Sequence, residues 1–327
     1  MSLKTKIINY AAGKYRAYKK QRSDERAGFK AISQREAYRL EPVLTIEEKK
    51  HYCERKGFAQ LKYFPNLDEP KTYSEKLIWL ALHYKDPRIA QFTDKCEMKK
   101  HVAELVGEQY VVPLLGVYDN VNDIDFDALP ESFVAKSTAG WANKQVVVVK
   151  NKNTVNLDRL KSRMAEWLYP WNGYYYANLC ITDEKIKPRI VIEEMLGDGN
   201  SPVTDYKLLC FDGVPKIILI VTGRGTKNIQ KTFMWLDDWT VAPITRNKTG
   251  SDASIEKPDK LDELVELARK LSKGVPVVRV DFYEDAGRIY VGELTFSPGL
   301  FLKINPTESD RQLGELIDIE KIKEQGN

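Results

Sequence analysis

The feature that most constrains the fold is a series of nine short runs rich in β-branched and aromatic residues, all between residues 111 and 296. Runs of this length and composition are typical of β-strands. In chain order they read VVPLLGVY, SFVAK, QVVVVK, PRIVIEEML, DYKLLCF, VPKIILIV, TFMWL, VVRVDFY and RIYVGELTF. The FDG sequence at 211–213 separates two of these runs and predicts a tight hairpin.

Helical signals dominate the part of the chain that precedes these runs. Residues 33–60 are predicted to be helical and connecting, 73–83 to form a helix, and 94–107 to form another between an Asp cap and a Gly. A later helix is predicted between a proline and a glycine at 258–274. With 43% hydrophobic and 30% charged residues over 327 positions, the chain is predicted to be a globular α+β protein of about two domains.

The sequence predicts a cytoplasmic protein. No run approaches the roughly 18–20 apolar residues of a membrane span, and the N-terminal MSLKTKIINY lacks the apolar core of a secretory signal. The widely spaced cysteines are predicted to be reduced thiols; they are Cys53, Cys96, Cys180 and Cys210. The three scattered histidines do not suggest a His-based metal site.

The N-terminal segment is strongly basic. Residues 1–40 contain eleven Lys or Arg against three Asp or Glu, although the net charge of the whole chain is only +4. Apolar residues recur at helical spacing within residues 1–25, which predicts a basic amphipathic helix. The helix either packs on its own domain or contacts an anionic membrane surface or a partner, which would place the protein peripherally at the inner face of the membrane. No nucleic-acid motif accompanies the charge, so no nucleic-acid partner is expected.

The stretch VRVDFYEDAGRIYVGELTF at 278–296 places charged residues inside two apolar strands. Strand alternation puts Arg279 and Asp281 on one face. If the EDAGR turn pairs Asp281 with Glu293, the two carboxylates lie about 4.5–5.5 Å apart at Cβ and repel each other. A divalent cation, most simply Mg²⁺ or else Mn²⁺, would remove the repulsion. A salt-bridged, solvent-facing strand is the alternative that this hairpin alone leaves open.

The second strand of this hairpin is read by the same alternation. It places Tyr290 with Leu294 and Phe296 on one face, and Val291 with Glu293 and Thr295 on the other.

Other charged residues at strand ends are ambiguous singly. Lys136 ends SFVAK and enters the small-residue loop STAGWANKQ, where backbone N–H groups could cover a phosphate. Glu193 and Glu194 follow a β-branched run, and Lys207 shares a strand face with Asp205. Taken together, the lysines, the acidic strand end and the carboxylate pair favour a nucleotide triphosphate held with Mg²⁺ between sheets.

From about residue 60 to 315, the chain resembles the ATP-grasp superfamily, and more narrowly its TupA-like branch, which is associated with bacterial polysaccharide and teichuronopeptide synthesis. The resemblance rests on the order and spacing of several motifs: NLDEPKTYSEKLIWL, FTDKCEMKKHV, FDALPESFVAK, DYKLLCFDG and VRVDFY with YVGELTFSPG. It implies an ATP-grasp fold in which the nucleotide lies between two antiparallel-rich α+β subdomains. The expected division is a basic helical extension at 1–60, an N-terminal subdomain at 61–130, a lid at 131–200 and a metal and substrate subdomain at 201–327.

The resemblance also implies the roles of individual residues. Lys95 and Lys136 would hold the ATP phosphates, Lys207 would contact the nucleotide and act in catalysis, and Arg279 would face the acyl phosphate. Asp281 and Glu293 would bind Mg²⁺. The hinge beside adenine would be Glu193, Glu194, Met195 and Leu196, with the Glu193 side chain reaching the adenine amino group and Asp198 contacting the ribose.

Three departures from the family pattern concern this site. The loop STAGWA stands where relatives carry a sequence resembling CNHGSG, which affects how the phosphates are covered. SPGLF replaces the more usual residues after the metal strand, and Thr295 stands where many ATP-grasp relatives have Asn.

The activity implied by the resemblance is an ATP-dependent carboxylate–amine ligase that acts through an acyl phosphate. Its co-substrates would be a small-molecule or saccharide carboxylate and an amine, in bacterial cell-surface polysaccharide biosynthesis. A kinase on the same nucleotide site is one alternative. A metal-dependent glycosyltransferase is another, because Asp123, Asp125 and Asp127 form a D-x-D pattern. A non-catalytic polysaccharide-assembly protein, which docks on a membrane surface or an assembly partner through residues 1–25, is a third.

Overall fold

The computed structural model describes residues 34–40, 43–140, 145–173, 186–197, 203–223, 229–242, 244, 255–300, 304 and 307–324. Outside these ranges lie the predicted basic helix of residues 1–25, the proposed ribose contact Asp198, Cys180 and residues 141–144 of the STAGWANKQ loop. The described residues form two compact units. One draws on 34–86 and 299–324, and the other on 87–173 and 186–298.

The described helices and strands follow the predicted order. The α-helices are α1 (Gln34–Leu40), α2 (Ile46–Leu61), α3 (Tyr73–His83), α4 (Pro87–Thr93), α5 (Lys95–Val106), α6 (Leu157–Trp167), α7 (Leu261–Leu271), α8 (Thr307–Glu315) and α9 (Ile319–Glu324). The strands are β1 (Leu114–Tyr118), β2 (Phe133–Ser137), β3 (Val146–Val149), β4 (Ile190–Glu194), β5 (Thr204–Phe211), β6 (Val214–Thr222), β7 (Gln230–Trp235), β8 (Val277–Asp285) and β9 (Arg288–Thr295). Each of the nine predicted strand runs overlaps one of these strands.

The first unit, as far as it is described, is helical and contains α1, α2, α3, α8 and α9. Capping boxes start two of its helices, with Thr45 and Glu48 at α2 and Thr72 and Glu75 at α3. Each box satisfies two backbone donors that a helix start leaves without partners. The buried Asp310 of α8 accepts hydrogen bonds from the Ser74 backbone N–H and hydroxyl group at 2.9 and 3.0 Å, which ties α3 to α8.

The second unit holds both sheets. One has four strands in the order β1-β4-β2-β3, and the other has five in the order β7-β6-β5-β8-β9. All ladders between these strands are antiparallel. A cluster of buried side chains from the four-stranded sheet and α6 forms its own core; it includes Phe133, Ile190, Ile192, Leu160 and Met164. This arrangement is the predicted α+β class with two antiparallel sheets.

The predicted FDG hairpin is confirmed. Phe211 pairs with Val214, and the two residues between them both have positive φ angles, 47° at Asp212 and 78° at Gly213. Two central residues of positive φ are typical of the tight turns that match the twist of antiparallel strands. The turn fixes β5 against β6 and therefore fixes which face of β5 carries Lys207.

The prediction that all four cysteines are reduced thiols is wrong for Cys53, which is disulfide-bonded. Spacing along the chain could not reveal this, because a disulfide depends on how the fold brings two Cα atoms together. Cys96 and Cys210 are free and buried. Burial raises the pKa of the Cys96 thiol to about 11 and that of Cys210 to about 12, so neither is a ready nucleophile.

Among the described helices, none combines the length and the apolar content that crossing a bilayer requires.

Candidate active site

The pairing of β8 with β9 brings the two predicted metal ligands together. Asp281 lies directly opposite Glu293, and Arg279 lies opposite Thr295. These four side chains therefore share one face of the five-stranded sheet, as alternation predicted. The Arg279 guanidinium donates to Thr295 Oγ1 at 3.2 Å, so the residue that departs from the family pattern contacts the predicted catalytic arginine.

The predicted faces of Tyr290 and Val291 are wrong, because β9 contains a β-bulge. The register shifts after Asp281, so that Val291, not Gly292, pairs with Phe282. One extra residue in β9 reverses the alternation beyond it. Val291 therefore lies with the buried Phe282 on the opposite face, while Tyr290 pairs with Tyr283 on the face of Asp281.

Strand β5 adds Lys207 next to the carboxylate pair. Lys207 pairs with Asp281 in register, and its Nζ donates to Asp281 Oδ2 at 2.5 Å. Arg279 holds the same carboxylate through Nε and Nη2 at 2.5 and 2.8 Å. Burial by itself would raise the pKa of Asp281, but Arg279 and Lys207 outweigh it and hold the pKa below its usual range. Asp281 therefore remains an ionised oxygen donor.

Asp205 is a further buried carboxylate on this face, and the sequence analysis assigned it no role. It lies opposite Tyr283 in the ladder between β5 and β8, is fully buried, and has its Oδ1 3.9 Å from Lys207 Nζ. Lys207 thus lies between two carboxylates. Their opposite charges compensate for burying its ammonium group.

Helix α5 places Lys95 at the other side of Glu293. Asp94 caps the helix by accepting from the backbone N–H groups of Cys96 and Glu97, and Arg189 holds the Asp94 carboxylate at 3.1 Å. This cap fixes Lys95 as the first helical residue. Lys95 Nζ donates to Gly140 O in the small-residue loop at 2.7 Å and lies 3.5 Å from Glu293 Oε1.

Lys136 on β2 reaches the same region from the four-stranded sheet. Its Nζ donates to Glu193 Oε2 at 2.5 Å and lies 5.9 Å from the centre of the Tyr283 ring. Burial by itself would lower the pKa of Lys136, but the neighbouring Glu193 outweighs it and raises the pKa. The lysine therefore stays charged.

Lys99 also binds Glu193, and sequence reasoning missed it. Its Nζ lies 3.0 Å from Glu193 Oε1 and donates to Val112 O at 3.0 Å. Burial lowers the pKa of Lys99 more than Glu193 raises it. For Glu193, burial by itself would raise the pKa, but Lys136 and Lys99 outweigh burial and lower it. The sequence did contain one signal for Lys99: it stands four residues after Lys95 on α5, and residues at this spacing share a helix face.

The predicted hinge residues follow Glu193 directly. Glu194 is exposed, and its backbone N–H donates to Pro113 O at 3.0 Å. Met195 and Leu196 are half-buried. The backbone N–H of Gly197, which has a φ of 80°, donates to Asp285 Oδ2 at 2.9 Å, so the end of β8 anchors the end of the hinge.

The D-x-D pattern takes no part in this cluster. Ile124 and Phe126 are buried in the core of the four-stranded sheet, and the three acids between and beside them are exposed. Asp125 Oδ1 accepts from the backbone N–H groups of Asp127 and Ala128, which closes a local turn. The acids therefore form a solvated edge.

Comparison with protein families decides the assignment. The family model described as TupA-like ATPgrasp matches residues 75–318, most of the chain. The chain belongs to the TupA-like ATP-grasp family. ATP-grasp enzymes are ligases that form carbon–nitrogen bonds.

Solved ATP-grasp structures are similar to this TupA-like protein at low sequence identity. The D-alanine–D-alanine ligase of Bacillus anthracis, solved with ATP, is 19% identical with a TM-score of 0.45, covering 76% of this chain and 70% of the ligase. The ATP-grasp ligase PsnB with its minimal precursor is 14% identical with a TM-score of 0.38, covering 71% and 62%. N5-carboxyaminoimidazole synthetase of Staphylococcus aureus with ADP is 15% identical with a TM-score of 0.37, covering 82% and 58%. A search of curated protein sequences finds no match.

The carboxylates of this TupA-like protein suit a magnesium ion. Asp281 and Glu293 face each other on neighbouring strands. The Glu293 side chain is 36% exposed, so a ligand could reach its carboxylate. The described residues contain no cluster of three or more His, Cys, Asp or Glu that could form an all-protein cage. Mg²⁺ bound with ATP usually takes one or two carboxylates and completes its shell with phosphates and waters. Two facing carboxylates fit that requirement.

Proposed function

We propose that this chain is an ATP-dependent carboxylate–amine ligase that acts through an acyl phosphate, with Lys95, Lys136, Lys207, Arg279, Asp281 and Glu293 as its site. The observation that carries the proposal is the convergence of four cationic side chains and a facing carboxylate pair within one compact unit. Lysines and an arginine near carboxylate oxygens suit a reaction that needs positioning and charge neutralisation.

The reaction has two steps. A substrate carboxylate oxygen attacks the γ-phosphorus of ATP, the bond from that phosphorus to the β–γ bridging oxygen breaks, and ADP leaves with the electron pair. An amine nitrogen then attacks the acyl carbon, the carbon–oxygen bond to the phosphate breaks, and the amine loses a proton. The products are an amide, ADP and inorganic phosphate.

The lysines of the site would bind the triphosphate. Lys136 uses one of its three ammonium donors on Glu193, and Lys95 directs one to Gly140 O, so each retains donors for phosphate oxygens. Lys207 and Arg279 flank Asp281, where they would neutralise charge on the transferred phosphoryl group and on the acyl phosphate. Lys207 and Arg279 are therefore the proposed catalytic residues.

Asp281 and Glu293 would hold Mg²⁺ or Mn²⁺. A divalent ion bound there with ATP would neutralise phosphate charge and orient the γ-phosphate. The adenine would lie beside Glu193, Glu194, Met195 and Leu196, with Asp198 as the proposed ribose partner.

The substrates are proposed to be a carboxylate of a cell-surface polysaccharide, or of its precursor, and an amine such as an amino acid. The support is the TupA-like family assignment, together with the role in bacterial polysaccharide synthesis that the sequence resemblance implies. We further propose a cytoplasmic enzyme that docks peripherally at the membrane through residues 1–25. Deleting these residues should release the protein from anionic vesicles in a sedimentation assay, and unchanged sedimentation would discard the docking role.

The ligase proposal is tested by measuring ADP and inorganic phosphate release from ATP and Mg²⁺ across a panel of uronic acids and amino acids. A productive pair should release both in equal amounts, and Glu293→Gln should abolish the release. Glu266→Gln, which changes an exposed carboxylate on α7, is the matched control and should have full activity. ADP release without inorganic phosphate would indicate a kinase, and preferential binding of UDP- or GDP-sugars over ATP would indicate a glycosyltransferase.

A further inference from the structure

The Glu193 carboxylate is shared between two lysines from different elements. Lys136 on β2 binds Oε2 at 2.5 Å, and Lys99 on α5 binds Oε1 at 3.0 Å. Only 3% of the Glu193 side chain and 4% of the Lys99 side chain are exposed, against 12% for Lys136. Lys99 is therefore shielded from a ligand, whereas Lys136 retains some access.

Lys99 changes the net charge of the buried cluster that it forms with Glu193 and Lys136. Glu193 and Lys136 alone would form a neutral pair, whose carboxylate competes with a phosphate for the ammonium group. With Lys99 in its ammonium form, held by Glu193 Oε1 and Val112 O at 3.0 Å each, the three side chains carry one net positive charge. Because all three lie in a low-dielectric interior, that charge acts more strongly on a nearby anion than a surface lysine would.

Geometry also holds Lys99 in place. Its Nζ donates to Val112 O at 3.0 Å, which fixes the ammonium group between the backbone before β1 and the carboxylate on β4. Lys95 lies one helical turn earlier on α5, so the helix that presents Lys95 to Gly140 and Glu293 also presents Lys99 to Glu193.

We propose that Lys99 is a positioning residue of the ATP site, which keeps Glu193 from forming a one-to-one ion pair with Lys136 and so leaves the Lys136 charge available to a nucleotide phosphate. This inference rests on the proposed function, since it assumes that ATP binds at Lys136. It assigns Lys99 no contact with substrate.

Binding of a non-hydrolysable ATP analogue with Mg²⁺, measured by isothermal titration calorimetry, tests the proposal. Lys99→Met should weaken binding by about tenfold, because one unit charge leaves a buried cluster close to the phosphates. Lys100→Met is the matched control on the same helix, since Lys100 is 65% exposed and pairs with Glu97, and its affinity should equal that of the wild type.

The double variant Lys99→Met/Glu193→Gln separates positioning from simple structural support. It restores one net positive charge, so it should bind the analogue more tightly than Lys99→Met does. A structural role for Lys99 predicts the reverse, with affinity and melting temperature both falling further. Lys99→Arg keeps the charge and should bind within about threefold of the wild type.

The outcomes are distinct. Wild-type affinity in Lys99→Met, or a double variant weaker than Lys99→Met, would overturn the inference while leaving the ligase proposal standing. If Lys99→Met does not fold, a Lys99→Arg variant that folds but loses tenfold or more in affinity would overturn it as well. A wild-type protein that binds no nucleotide would remove the proposed function and this inference together.

Discussion

Replacing the two proposed metal ligands should affect activity alike but stability differently. Asp281→Asn removes a carboxylate that is 4% exposed and that compensates both Lys207 at 2.5 Å and Arg279 at 2.5 and 2.8 Å. Removing one partner of a buried ion pair costs about 3–5 kcal/mol, because the other charge stays buried and unpaired. Asn keeps the shape and one acceptor oxygen, so we expect the lower end, about 3 kcal/mol.

Glu293→Gln should leave the fold nearly unchanged. Glu293 is 36% exposed, and its pair with Lys95 spans 3.5 Å. Pairs of this kind contribute about 0–1 kcal/mol. For a unit of about 200 residues, 1 kcal/mol shifts the melting temperature by about 2–4 °C, so we expect a fall of about 6–12 °C for Asp281→Asn and at most about 4 °C for Glu293→Gln.

The assay combines differential scanning fluorimetry without nucleotide and ADP release with a productive substrate pair. Both variants should lose turnover, and only Asp281→Asn should melt clearly earlier. Equal melting temperatures would refute the argument that Asp281 compensates buried cations. Full activity of Glu293→Gln would remove the metal-ligand assignment.

Two further predictions concern the fold. Burial raises the pKa of Asp310 above 3.8 despite its hydrogen bonds from Ser74, so the folded state binds this proton more tightly than the unfolded state does. The free energy of unfolding should therefore fall as pH rises through about 4 toward the raised pKa. Asp310→Asn should remove this pH dependence. Melting curves from pH 3.5 to 7 check it, and identical slopes in both proteins would contradict it. Gly314→Ala should be severely destabilising, because the added Cβ would lie 2.2 Å from Lys71 O. Gly287→Ala has a φ of 73° and no atom within 4 Å of the added Cβ, so it should lower the free energy of unfolding in urea by only about 1–2 kcal/mol. Similar losses in both variants would contradict this prediction.

Local signals in the sequence predicted most of the described elements. Asp94 caps the start of α5 and Gly107 caps its end, as predicted. Helix α3 spans the predicted residues because a capping box at Thr72 and Glu75 fixes its start. The alternation that placed Asp281 beside Glu293 also holds, since the period of a strand is two residues. These features depend only on neighbours in the chain.

Other features depend on the fold as a whole. The bulge at Gly292 reversed the faces of Tyr290 and Val291, and alternation contains no sign of an extra residue. Lys99 reads as one more lysine on a charged helix, and only the approach of β4 turns it into the partner of Glu193. The disulfide of Cys53 likewise depends on contacts that spacing cannot supply.

Oxygen transfer from the substrate carboxylate to phosphate tests the central claim most directly. With a productive acid labelled with ¹⁸O in its carboxylate, each turnover should deliver one labelled oxygen to the released inorganic phosphate, because the acyl phosphate forms through that oxygen and breaks at the acyl carbon. Mass spectrometry of the phosphate measures the transfer. Unlabelled phosphate, or a phosphorylated acid that accumulates without amide, would contradict the account.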